Sequence, residues 1–68
     1  MKLKMSENLR KQVEGQEKLS GSNHSFVLNV RKMMAKDFKT MAEAEKFADQ
    51  ETGLGRTILY GGMGLVKA

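Results

Sequence analysis

The run Thr40-Met41-Ala42-Glu43-Ala44-Glu45-Lys46-Phe47-Ala48 writes the start of a helix more clearly than any other part of this chain. Thr40 can accept from the Glu43 amide while the Glu43 carboxylate reaches back to the Thr40 amide, the reciprocal pattern of a capping box. Met41, Ala44, Phe47 and Ala48 then fall on one side of that helix, and the small alanines let it lie close on a neighbour. The segments on either side read as strands. Phe26, Leu28 and Val30 alternate with Val27, Asn29 and Arg31 at the two-residue period of a half-buried strand. Thr57-Ile58-Leu59-Tyr60 is a second short strand, and Gly61-Gly62 suits a primed turn returning Met63 to Val66 beside it. Phe38-Lys39 is expected as a further short strand.

The expected fold is therefore α+β, with an N-terminal helix followed by a small antiparallel sheet and one packed helix, in β-α-β-β order after residue 24. Phe26, Leu28, Val30, Phe38, Ala44, Phe47, Ala48, Ile58 and Leu59 are its expected core. Met5, Leu9 and Val13 recur every four residues and form a narrow apolar stripe on the N-terminal helix, with Ser6 as its cap. A helix this short is marginal alone, so it is expected either docked, on this chain or a partner, or as a frayed arm. Three parts follow: a helix or arm over 1–19, a linker over 20–24 and an α+β body over 25–68.

Size limits what such a body can do. At 68 residues without cysteine, neither disulfides nor thiolate metal sites can staple the fold, and one core of this size supplies about 3–5 kcal/mol. No apolar run approaches the roughly 20 residues that span a bilayer, and Glu7, Arg10 and Lys11 interrupt the pattern of a signal peptide. A soluble, cytoplasmic chain without membrane partners is expected.

Residues carrying catalytic chemistry are scarce. His24 is the only histidine and has no evident orienting carboxylate nearby, so it reads as a polar residue at a strand entrance rather than a general base. Gly53-Leu54-Gly55 and Gly61-Gly62-Met63-Gly64 lack the strand-loop-helix setting of phosphate-cradling loops. The carboxylates Glu43, Glu45, Asp49 and Glu51 are interleaved with Lys46 on a solvated helix face. No enzyme activity, cofactor or metal is expected.

Binding is the better expectation. Residues 1–39 hold nine Lys or Arg against four Asp or Glu, a net charge of +5, while residues 40–68 carry −1. Arg31, Lys32, Lys36 and Lys39 fall within nine residues, opposed only by Asp37, and suit phosphates or an acidic protein surface. Met33 and Met34 cannot both point inward on a strand, and exposed methionine suits adaptable contacts. The expected partner-binding residues are Arg31, Lys32, Met33, Met34, Lys36 and Lys39, with Met5, Leu9 and Val13 of the first helix.

The order of a strand with His24-Ser25-Phe26, a Thr40-initiated helix with Glu43-Ala44 and Ala48, and a return strand from Thr57 resembles the small phage-encoded inhibitors of bacterial RNA polymerase. The resemblance covers roughly residues 23–60. It implies a non-enzymatic regulator that blocks a larger host protein by binding. Two other expectations stand beside it: a nucleic-acid-binding accessory protein using residues 31–39, and a structural homo-oligomer subunit.

Overall fold

The two ends of the chain meet. In the computed structural model, which describes residues 1–21 and 23–68, strand β1 (Leu3–Met5) pairs antiparallel with strand β2 (Leu65–Lys67), Leu3 opposite Lys67 and Met5 opposite Leu65. The ladder continues past both strands through Ser6 N–H to Gly64 O at 2.9 Å and Ala68 N–H to Lys2 O at 3.0 Å. Between these strands run α1 (Glu7–Ser20), α2 (Ser25–Ala35), α3 (Met41–Gln50) and a 3-10 helix (Arg56–Leu59).

This corrects the expected architecture. Three α-helices stand where one packed helix and an N-terminal helix were expected, a strand precedes the first helix, and the sheet is made from the chain's two ends. The presumed strand around Phe26 is α2, and the presumed strand at 57–60 is the 3-10 helix. The alternation of Phe26, Leu28 and Val30 ends at Val30. The helical set Phe26, Val27, Val30, Met33 and Met34 runs on for about one more turn, so the longer period satisfies more apolar side chains. Val27, Val30 and Met33 are fully buried, whereas Leu28, which the strand reading put in the core, is 44% exposed.

Each helix has its own start. Ser6 caps α1 by accepting from Leu9 N–H at 3.3 Å, and Thr40 caps α3 by accepting from Glu43 N–H at 3.2 Å. The return bond of the capping box, from Thr40 N–H to the Glu43 carboxylate, is absent among the described residues. His24 caps α2, its Nδ1 accepting from Phe26 N–H at 3.2 Å. Ser22, inside the linker expected over 20–24, lies outside the described residues.

One core takes side chains from every element: Leu3 of β1, Leu9 and Val13 of α1, Val27, Val30 and Met33 of α2, Ala44 and Ala48 of α3, Leu59 and Leu65. Phe38, in the segment joining α2 to α3, is its largest fully buried side chain and meets Phe47 edge-on, with ring centroids 5.5 Å apart. In place of the short strand expected at Phe38-Lys39, Phe38 alone pairs with Met1: its N–H donates to Met1 O at 2.9 Å and its carbonyl accepts from the Met1 ammonium at 2.6 Å. Phe47, Phe26 and Ile58 are only partly buried against this core.

Two glycines steps explain how the last strand reaches β1. Gly61 and Gly62 both take positive φ, 79° and 67°, as a primed turn demands. That turn sends the chain across the molecule to β1 instead of back along residues 57–60. Gly64 then passes so close to the 3-10 helix that a β-carbon there would lie 2.7 Å from the Ile58 carbonyl carbon. Thr52, the one buried polar residue among the described residues, closes α3 by donating to Ala48 O at 2.7 Å and accepting from Leu54 N–H at 3.2 Å.

Candidate functional site

α2 buries one face and turns the other to solvent, and its outward face carries the cations. With about 100° between successive residues, Val27, Val30 and Met33 point to the core while Leu28, Arg31, Lys32 and Ala35 point away; the last four are all exposed. Lys36 continues this face as the C-cap of α2, and Lys39 follows three residues later, both exposed. Folding adds a cation that linear spacing did not group with them: Lys2 Nζ donates to Ala35 O at 3.2 Å, at the C-terminal end of α2. Cations are favoured there by the helix dipole and the unsatisfied terminal carbonyls.

Two of the nearby acids are engaged, while Glu43 and Glu51 line the same cleft as Lys36. Glu17 of α1 receives Arg31 at 3.2 Å, and Asp37 is paired with the Met1 ammonium. That hydrogen bond, and then the ammonium charge, hold the Asp37 carboxyl below its ordinary range. Lys32, Lys36 and Lys39 have no ion-pair partner among the described residues. Lys36 Nζ instead sits 4.9 Å from the centroid of the Phe47 ring, a cation–π contact that leaves its ammonium at the surface.

The expected binding residues separate into two groups. Arg31 and Lys32 lie on the outward face of α2, Lys36 at its C-cap, and Lys39 is exposed in the segment that follows. Leu9, Val13 and Met33 lie in the core at 0, 2 and 0% exposure, and Met34 and Met5 pack partly against it; Met5 belongs to β1 rather than to the helical stripe. Leu28 was expected in the core rather than on this surface, and Lys2 was not singled out in the sequence. The helical period through Met33 and Met34 would have revealed Leu28, but Lys2 is brought in only by tertiary pairing.

Two shallow, open clefts border α3. One, of about 150 Å³, is floored by Phe47 and edged by Lys36, Glu43 and Glu51; the other, of about 260 Å³, lies between Glu45, Asp49 and Arg56. Both are below the roughly 300–1,000 Å³ of ordinary ligand pockets. Tyr60 OH donates to the Glu45 carboxylate, and this bond, with partial burial, raises the Tyr60 pKa. Among the described residues no group of three or more His, Cys, Asp or Glu is placed to hold a metal ion, and no helix is long and apolar enough to cross a membrane.

The fold and this surface define a class: a small, mostly helical domain closed by a two-stranded terminal sheet, with a basic outward helix face. No family model, no curated protein and no solved structure matches the chain. The strand-helix-strand order on which the resemblance to phage-encoded polymerase inhibitors stood is replaced here by helix, helix and 3-10 helix.

Proposed function

We propose that this protein works by binding rather than by chemistry, and that it uses the outward face of α2 and the segment to Lys39 to hold an acidic macromolecule. The observation that carries this reading is the charge balance of that face. Arg31 and Lys32 lie on it, Lys36 caps its end, Lys2 reaches the Ala35 carbonyl there and Lys39 follows along the chain, while Glu17 and Asp37 are paired with Arg31 and the Met1 ammonium, leaving Glu43 and Glu51 beside Lys36 as the acids set against them. Such a face raises the local potential and speeds encounters with an oppositely charged surface.

The test separates this face from net charge alone. Retention on immobilised heparin, a generic polyanion, is compared for the parent, a Lys32→Glu/Lys36→Glu variant and a Lys11→Glu/Lys18→Glu variant. Lys11 and Lys18 are also exposed, on α1, and the two double substitutions change net charge alike. The α2 variant should elute at clearly lower salt than the α1 variant. Equal losses in the two would reduce the interaction to overall charge and remove the surface.

A further inference from the structure

Six methionines are spread over this chain, and the fold divides them by access. Met33 is fully buried, while Met1, Met5, Met34 and Met41 pack partly buried against the core. Met63 stands apart at 56% exposure, in the turn that follows Gly61-Gly62 and leads into β2. Its sulfur is nevertheless engaged. Asn8, in the first turn of α1, donates from Nδ2 to Met63 Sδ at 3.1 Å across 55 positions of sequence. The backbone beside both partners is tied down, because Ser6 N–H donates to Gly64 O at 2.9 Å and Gly64 is buried against Ile58. A thioether is only a weak acceptor, so this amide is aimed at an atom that makes little use of it.

We infer that Met63 is an oxidation site of this protein, taking one oxygen from a peroxide, and that the Asn8 amide holds the sulfoxide so formed. A lone pair on Sδ attacks a peroxide oxygen; the S–O bond forms as the O–O bond breaks, and from hydrogen peroxide the other oxygen leaves as water. Sulfur gives up two electrons, and the peroxide accepts them. Oxidation follows exposure, which puts Met63 ahead of the five methionines packed in or against the core. The product carries a polar oxygen, a better partner for the Asn8 Nδ2–H than thioether sulfur. The contact therefore tightens where the turn meets α1, beside the end of the terminal sheet. An oxygen added to Met33 would do the opposite, placing a polar group inside the core. The inference stands apart from the binding reading, since it uses neither α2 nor its cations.

Dilute hydrogen peroxide, followed by mass mapping of tryptic fragments, tests the order of oxidation in the folded chain. The fragment over residues 57–67 carries Met63 as its only methionine and should gain one oxygen before any other fragment does. Met63→Leu should remove this first event and leave the slower ones. Thermal melts of the singly oxidised and reduced forms then test the part given to Asn8. The oxidised parent should melt about 2–4 °C higher, the shift of one weak hydrogen bond gained in a domain of this size. Asn8→Ala and Asn8→Asp, which both lack the donor, should oxidise at the same methionine and show no such rise. Oxygen uptake first at another methionine would overturn the site. A parent midpoint that stays or falls on oxidation, or a rise that persists in both Asn8 variants, would overturn the role of Asn8.

Discussion

α2 and α3 are nearly equal in length, eleven and ten residues, yet they are held in place by different means. α3 is specified locally: a threonine cap, an acid in the first turn and two buried alanines that let it lie close on the 3-10 helix and on Phe38. α2 has a histidine cap, no acid in its first turn and a buried face of Val27, Val30 and Met33. Valine loses rotamer freedom in a helix, so α2 draws its stability from burial rather than from propensity. A helix can thus be secured by its ends or by its face, and only the first kind is legible in a short stretch of sequence.

The largest expected effect breaks this contrast at the buried faces. Met33→Ala should cost about 2–5 kcal/mol through lost burial and the cavity left behind, most of the stability of a domain this small. Ala44→Gly in α3 should cost about 1 kcal/mol, mainly helix propensity. Denaturant midpoints measured side by side would test it, and equal shifts would remove the distinction between the two helices.

Gly64→Ala comes next. The added β-carbon collides with the backbone of Ile58, which has no side-chain rotamer to yield, and such overpacking costs about 1–3 kcal/mol. The collision is with the 3-10 helix, and α3 packs on that element, so amide exchange should quicken in α3 and residues 56–59 before it quickens in α2. Uniform loss of protection would mean that the two helices open as one unit.

The caps give smaller and opposite effects. Thr40→Ala should destabilise by about 1 kcal/mol, because it strips the acceptor from Glu43 N–H. His24→Asp should stabilise by about 0.5 kcal/mol, since a carboxylate both caps α2 and complements the positive end of its dipole. Thermal melts of the two variants should move to opposite sides of the parent. A destabilised His24→Asp would show that the imidazole has packing value beyond its hydrogen bond.

Smallest is the acid response of the segment joining the helices. The Asp37 carboxyl is held below its ordinary range by the Met1 ammonium. Its stabilising contribution is therefore complete above the ordinary carboxylate pKa and is lost as pH falls through the lowered folded value. Asp37→Asn should lower stability slightly near neutrality, where that contribution is complete, and converge with the parent at the acid end of a pH titration. Because the pair is exposed, the difference should be slight.

What the sequence determined by itself was whatever short range encodes. Thr40 and Ser6 could be read as caps, Ala44 and Ala48 as a close-packing face, and Gly61-Gly62 as a turn, because each depends on residues within about four positions. Arg31, Lys32, Lys36 and Lys39 could be grouped from the sequence because they are near neighbours along the chain. The strand reading of 26–30 failed because an apolar run there fits both periods over five residues; the helical period shows only when the window extends through Met33 and Met34, and the burial of Val27, Val30 and Met33 agrees with it. The four-residue run at 57–60 was too short to tell a strand from a 3-10 turn. Tertiary structure alone decided that β1 pairs with β2 across sixty or more residues, that Leu9 and Val13 serve the core, and that Lys2 reaches the C-terminal end of α2. Those outcomes follow from which apolar faces can be buried at once, a property of the whole chain that no local window contains.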